Sequence, residues 1–343
     1  MPATYKDIRR LTGLSLATIS KYFNGGNVAY TSRVLIEQAS RDLGYQVNDI
    51  ARGLRSRRTK TLGVVLAELD SAFYTTIIST MEERLREAGY GTIICDSRGS
   101  ADAESDAIRF LLGKQVDGIV IIPVGDRVAG LEAAAARGVP VVAVDRLVAD
   151  AEVDAVVIDN RVAIGAAVDL LAEAGHTRIG LLAGPDDVYT MRERRAGFRE
   201  AVRRHTGCLP ARALMQPDPV SVEGGYAGLR RLLALAEPPT AVVCGNYEFT
   251  VGATVALNEL ADAPVPAIVG FDNLELARII RPRPTLVAQP VAQIAVRAAE
   301  LILDRIGSAD PPPPRTVVLQ PELVIGDPVT LALPAPIRRG SAS

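Results

Sequence analysis

The 343-residue chain has no tryptophan, 4% aromatic residues, three cysteines and two histidines. Each scarcity excludes something. Cys95, Cys208 and Cys244 are scattered, odd in number and without a CxxC pair, so neither a disulfide framework nor a zinc site is indicated, and buried free thiols are expected. His176 and His205 are too isolated to form a metal or nucleophile constellation. No apolar run has the length of a membrane helix, and the first ten residues lack the apolar stretch of a secretory signal, so a cytoplasmic protein is expected. The loop and motif signatures of enzymes are missing too: there is no GxGxxG after a strand, no GxxxxGK[ST], no HExxH and no GxSxG. Gly89-Tyr90-Gly91 precedes a strand candidate and cannot serve as a dinucleotide loop. No enzyme and no cofactor is expected.

What is present begins at the N-terminus. Thr4 followed three residues later by Asp7 is a helix N-cap signature, and Ser15 can cap a second short helix after a turn at Gly13. Two short helices joined by such a turn are the plan of a helix-turn-helix, whose second helix enters the DNA major groove. A third helix is expected from an N-cap at Thr31 to Leu43, with Gly44 in the favoured C′ place. A further basic segment follows, in which Leu54 stands among Arg52, Arg55, Arg57 and Arg58. A leucine with no stripe of apolar partners reads as a wedge for a base step in the minor groove, against the alternative of packing under its own head.

Charge separates this head from the rest. Residues 1–60 carry eleven Lys+Arg against four Asp+Glu, a balance of +7, and the remainder carries 27 against 36, a balance of −9. The net charge of −2 therefore hides a basic head on an acidic body, as expected of a nucleic-acid-binding arm on a regulatory domain.

From residue 61 onward short β-branched runs alternate with Ala/Leu/Arg-rich amphipathic segments. Strands are expected at 62–67, 92–95, 118–122, 139–144 and 155–158, then at 179–183, 241–244, 267–269 and 286–288, with a late one at 316–319 after the proline run 311–314. Helices such as 74–88, 192–204, 224–235 and 292–306 fill the gaps. Continuous apolar runs, rather than alternating ones, mark strands buried on both faces of parallel sheets, so the fold class is α/β with two successive parallel-sheet units.

Ligands of open α/β sheets bind beyond the C-terminal ends of strands. Asp70, Phe73, Tyr74, Asp145, Arg146, Asp159, Asn246 and Asp272 fall at such positions. Carboxylates and an arginine converging on a cleft suit a polyhydroxylated ligand, and Phe73 could cover the apolar face of a ring. The competing explanation is that strand-end Asp and Asn merely cap the next helix.

The residues resemble the LacI/GalR (lactose-repressor) family over nearly the whole chain. In the head the matches are Thr4, Asp7, Ile8, Gly13, Ser15, Thr18, Ile19, Ser20 and Asn24, then Thr31, Arg33, Ala39, Leu43, Gly44 and Tyr45, and in the hinge Ala51-Arg52-Gly53-Leu54. Further on, Asp145-Arg146, Asp159-Asn160, Gly175-His176, Arg194 with Gly197-Phe198, Gly225-Tyr226, Val265-Pro266 and Gly270-Phe271-Asp272 keep family order. The resemblance implies a periplasmic-binding-protein-like core of two Rossmann-like subdomains joined by three crossovers, with an effector between them. It also implies a homodimer on a palindromic double-stranded DNA operator, since one head reads one half-site.

Carried onto this sequence, the resemblance gives a helix-turn-helix head (1–46), a hinge helix and linker (47–59), an effector-binding core (60–333) and a disordered tail (334–343). The first subdomain spans about 60–159 and 289–319, the second about 160–288 and 320–333. The implied DNA-binding residues are Thr4, Ser15, Leu16, Ala17, Thr18, Ser20, Lys21, Asn24, Thr31, Asn48, Ala51, Arg52, Leu54 and Arg55. The implied effector-binding residues are the strand-end set above together with Arg194, Val220 and Gln289.

Departures from the family pattern are specific. Val47 stands where proline often precedes Asn48, Leu16 and Ala17 cannot make bidentate bonds to bases, and Asn246 is followed by Tyr247 instead of aspartate. Val220 occupies a place that is often aromatic. The expected function is an effector-responsive, sequence-specific transcriptional regulator in the cytoplasm, acting at the nucleoid, a repressor for uptake or catabolism of a sugar-like metabolite. The alternative is a sugar-binding protein of the periplasmic transport type, which shares the core but has no use for a basic head.

Overall fold

The computed structural model describes residues 3–23, 26–45, 58–149, 151–260, 265–272, 278–308 and 310–333. It divides into two compact units, Met1–Thr59 and Lys60–Ser343.

Among the described residues the head holds three helices, α1 (Tyr5–Thr12), α2 (Leu16–Phe23) and α3 (Tyr30–Asp42). The Thr4 backbone N–H and hydroxyl both donate to the Asp7 carboxylate, at 3.0 and 2.8 Å, which fixes the start of α1 and holds that carboxyl below its ordinary range. Gly13 ends α1 at φ 68°, a left-handed conformation open to glycine without penalty. Ser15 Oγ accepts from Thr18 N at 3.0 Å and so caps α2. The third helix departs from expectation. It begins at Tyr30, with Ala29 as N-cap and Arg33 N donating to Ala29 O at 3.0 Å, so Thr31 lies inside the first turn and does not cap it. Its C-terminus follows expectation: Tyr45 N bonds Ser40 O, Gly44 N bonds Arg41 O, and Gly44 takes φ 58°, which is a Schellman ending. Ile8, Ile19, Ile36 and Ala39 form the small core, and Tyr5 stacks on Phe23 at 5.3 Å.

The larger unit holds two six-stranded sheets. The first contains β1 (Thr61–Leu66), β2 (Gly91–Asp96), β3 (Gly118–Ile121), β4 (Val141–Val144), β5 (Asp154–Ile158) and β11 (Thr316–Leu319), in the order β11-β5-β4-β3-β1-β2, all parallel. The second contains β6 (Ile179–Ala183), β7 (Met215–Pro217), β8 (Ala241–Cys244), β9 (Ala267–Phe271), β10 (Thr285–Ala288) and β12 (Glu322–Val324), in the order β12-β10-β9-β8-β6-β7. Among the described strands only β12 is antiparallel to its neighbour. The chain passes between sheets three times: after β5, after β10 and after β11. Helices α4 (Ala72–Glu87), α5 (Ala101–Gly113), α6 (Leu131–Ala136), α7 (Asn160–Glu173), α8 (Tyr189–Thr206), α9 (Val222–Leu233), α10 (Tyr247–Asn258) and α11 (Val291–Gly307) make the crossovers.

The central strands β3, β4, β5, β6, β8 and β10 are buried along their whole length, as their unbroken apolar runs require. Edge strands differ. The β2 run looks equally apolar, yet Ile94 is exposed because no strand covers that edge. Two further edge strands, β7 and β12, have three residues each and leave too little pattern for the sequence to announce them.

Of the free thiols only Cys244 is buried, its pKa pushed up to about 12 by desolvation. Cys208 is exposed, contrary to expectation, because it follows Gly207, which ends α8 at φ 73°. His176 is buried between Thr240 Oγ1 at 2.9 Å and Leu331 O at 3.0 Å, a tie between the end of α7 and the C-terminal turn Pro328–Leu331.

Candidate functional site

The C-terminal ends of β1, β3 and β4 in one lobe face those of β6, β8, β9 and β10 in the other, and a cavity of about 300 Å³ lies between them. Nine residues expected from sequence line it: Phe73, Tyr74, Asp145, Arg146, Arg194, Val220, Asn246, Asp272 and Gln289. Asp70 lines an adjoining outer recess of about 810 Å³. Asp159 is in neither lining; its carboxylate accepts from Val162 N at 3.0 Å and caps α7, so capping accounts for it. Asn246 does both things, since it lines the cavity while its Oδ1 accepts from Phe249 N at 2.9 Å at the start of α10.

Two arginines dominate the electrostatics, and both are held fast. Arg194, on α8, is 3% exposed. Its Nε donates to Asn160 Oδ1 at 2.7 Å, its Nη1 to Gly245 O at 2.6 Å, and its guanidinium lies 3.9 Å from the centroid of the Phe271 ring. Burial lowers its pKa, which Asp145 and Asp272 oppose. Arg146 Nη1 donates to Pro123 O and Val124 O at 2.8 and 2.7 Å, and its Nη2 donates to the Tyr74 hydroxyl at 3.1 Å. These fixed guanidiniums cannot swing away, so they present constant geometry to whatever enters.

The carboxylates answer them. Asp272 accepts from Gln289 N at 3.2 Å and from Gln289 Nε2 at 2.7 Å, and desolvation raises its pKa to about 6. Asp145 is also raised by burial, with Arg146 and Arg194 acting against the shift. Sequence reasoning missed several lining residues. Glu68, Ser71 and Asp187 sit on the loops after β1 and β6, and Tyr247 and Glu248 open α10. Glu68, Ser71, Tyr247 and Glu248 each lie within two residues of an expected position, so there the strand-end rule located the loop and chose too few of its side chains, whereas for Asp187 the loop after β6 held no expected site residue. Asn160 was missed in its role, because nothing local in the sequence says that it positions Arg194.

In the head, α2 carries no acidic residue, and Leu16, Ala17 and Lys21 are exposed on it. Thr18 and Ser20 are half-buried, and Ser15 and Thr31 are exposed. Lys6, Arg9, Arg10, Arg33 and Arg41 add exposed cations. Asn24, Asn48, Ala51, Arg52, Leu54 and Arg55 lie outside the described residues, as does the tail 334–343.

Residues 59–311 match the model of the periplasmic binding proteins and sugar binding domain of the LacI family. The ribose operon repressor of Haemophilus influenzae is 29% identical over 327 residues, covering 94% of this chain and 97% of that protein. The HTH-type transcriptional repressor PurR of Proteus mirabilis is 31% identical over 311 residues, covering 89% of this chain and 90% of that protein. Among solved structures, the lac repressor dimer bound to operator and the anti-inducer ONPF superposes with a TM-score of 0.83 at 23% identity, over 95% of this chain and 98% of that chain, which shows the shared fold.

Proposed function

This chain belongs to the LacI family, and we propose that it is an effector-responsive repressor that binds a palindromic operator as a homodimer and controls genes for a sugar-like metabolite. The observation that carries the reading is one chain holding both a Ser15-capped helix rich in exposed cations around it and a polar cavity between two lobes. The repressors for the ribose operon and PurR, both aligned over nearly their whole lengths, support it.

In the head, Ser15, Thr18 and the N-terminus of α2 hold phosphates, while Leu16 and Ala17 meet thymine methyls and Lys21 reaches a guanine edge. Thr4, Ser20, Asn24 and Thr31 complete the contacts to the major groove. The hinge residues Asn48, Ala51, Arg52, Leu54 and Arg55 engage the minor groove from both subunits. In the core, Asp272, Arg194, Asp145 and Arg146 bond the hydroxyls of the effector, Phe73 covers its apolar face, and Asp70, Tyr74, Val220, Asn246 and Gln289 complete the pocket. Closure of the lobes on the effector changes the free energy of the DNA-bound form, and that coupling is the regulatory signal. Such a protein works in the cytoplasm, where its operator is.

The rival, a transport-type sugar-binding protein, accounts for the core and leaves the head without a role. Footprinting with the full chain decides between them. A two-fold symmetric protected site, released by a small molecule whose binding is lost on Asp272→Ala, is the expected result. Equal binding to all DNA fragments would overturn the reading.

A further inference from the structure

The cavity lining holds more carboxylic acids than cations, Glu68, Asp145, Asp187, Glu248 and Asp272 against Arg146 and Arg194. Arg194 is bonded to Asn160 and Gly245, and Arg146 to Pro123, Val124 and Tyr74, with Arg146 Nε left without a hydrogen-bond partner. Gln289 is 7% exposed and lines the cavity, and its Oε1 has no partner while its Nε2 is spent on Asp272. That buried oxygen is an acceptor open to a donor from the ligand. At the mouth, Glu68 and Asp70 follow β1 in one lobe and Glu248 opens α10 in the other, and Glu68 and Glu248 line both the cavity and the outer recess. Among the described residues lining that recess the one cation is Arg98, which lies beside Asp96 at 3.9 Å with its side chain 89% exposed.

We propose that the effector is a polyol bearing a protonated amino group, an amino sugar in chemical class, with its ammonium shared between Glu68 of the first lobe and Glu248 of the second. The inference rests on reading the cleft as the effector site. A neutral polyol would satisfy Gln289 but would leave like charges from the two lobes facing each other as closure removes their water, and a phosphate ester would add to that charge. An ammonium supplies three donors and the compensating charge at once, so closure is more favourable around a cationic ligand than around its neutral counterpart. Burial raises the pKa of Glu248, Glu68 and Asp70 add to the shift and Arg194 opposes it, while its side-chain hydrogen bond comes from the neutral amide of Asn246.

The test is titration calorimetry on the full chain at pH 7 with glucose, galactose and mannose, each beside its 2-amino counterpart and its 6-phosphate. At least one amino sugar should bind about tenfold tighter than its neutral counterpart. Glu248→Gln should erase that advantage and Glu68→Gln should reduce it, while the neutral sugar keeps its affinity within about twofold. Absence of binding by every amino sugar, parity with the neutral member, or an advantage that survives both substitutions overturns the proposal. A neutral sugar that binds the wild type as tightly as its 2-amino counterpart and is lost on Asp272→Ala would sink the charge inference and leave the cleft reading standing. Absence of any operator preference would instead sink the underlying reading.

Discussion

Asp145 and Asp272 are counterparts in the two lobes. Each leaves the fourth strand of its sheet with a positive φ, 69° and 56°, and each N–H bonds the next strand, Asp145 to Val156 O at 2.9 Å and Asp272 to Val287 O at 2.7 Å. Positive φ is uncommon outside glycine, and Asp tolerates it better than most residues. The same turn, used twice, aims one carboxylate from each lobe at the shared cavity.

The pH dependence of stability follows from the Asp272 half of this pair. Burial lifts its pKa from 3.8 to about 6. Below about 4 the carboxyl is protonated folded and unfolded, so it carries no penalty. Between about 4 and 6 the unfolded chain releases the proton first, and folding loses stability that is not regained above 6. Asp272→Asn removes this loss, and the Gln289 amide can turn to meet the new one. The melting temperature of the ligand-free variant should therefore exceed that of wild type by more at pH 7.5 than at pH 4.5. An equal difference at both values would show that the carboxyl titrates as an ordinary one.

A second expectation concerns the contact that ties the lobes. Arg192 of α8 bonds Asp126, on the loop after β3, at 2.8 Å, so an ion pair spans the cleft. Both side chains are partly exposed, which limits the pair to about 0.2–1 kcal/mol. A double-mutant cycle of Asp126→Asn and Arg192→Gln on thermal unfolding should return a coupling energy in that range, diminishing in high salt. Zero coupling would mean that the pair adds nothing to holding the lobes together.

For the head, Lys21→Ala should weaken operator binding by roughly 1–3 kcal/mol if the amine reads a base. Gel-shift titrations on operator and on random DNA of equal length separate the roles. An equal loss on both would make Lys21 a phosphate contact and shift sequence readout to Leu16 and Ala17.

The fold was legible because both sheets are built largely from parallel strands whose apolar runs are continuous, and the strand-end rule then pointed to loops that line the cavity. It failed where local chemistry has two uses. Asp159 and Asn246 have the same cap chemistry at helix starts, and only the tertiary structure shows that one caps and the other also faces the cavity. Ala29 as the cap of α3 was illegible for the opposite reason: the helix starts without a side-chain oxygen, so Thr31, two residues on, drew the assignment. Asn160 and Glu104 escaped because their work is done through partners 34 and 20 residues away.

Glu104 allows the sharpest separation of support from contact. It lies in the first turn of α5, 1% exposed, and its Oε2 accepts from Val124 N at 2.7 Å. Val124 in turn accepts from Arg146 Nη1 at 2.7 Å, so a buried acid outside the cavity lining fixes the loop that holds a cavity arginine. Burial raises the pKa of Glu104, so the neutral amide of glutamine is a fair substitute for it. Glu104→Gln keeps an acceptor for Val124 N and should bind effector as wild type does. Glu104→Ala leaves that N–H unsatisfied, at a cost of about 1–3 kcal/mol in stability. With Arg146 no longer anchored, effector affinity should fall severalfold although no ligand contact has been removed. Thermal unfolding and calorimetry on both variants check this. If the alanine variant loses stability yet binds effector unchanged, Glu104 supports the fold alone and Arg146 keeps its place by other bonds.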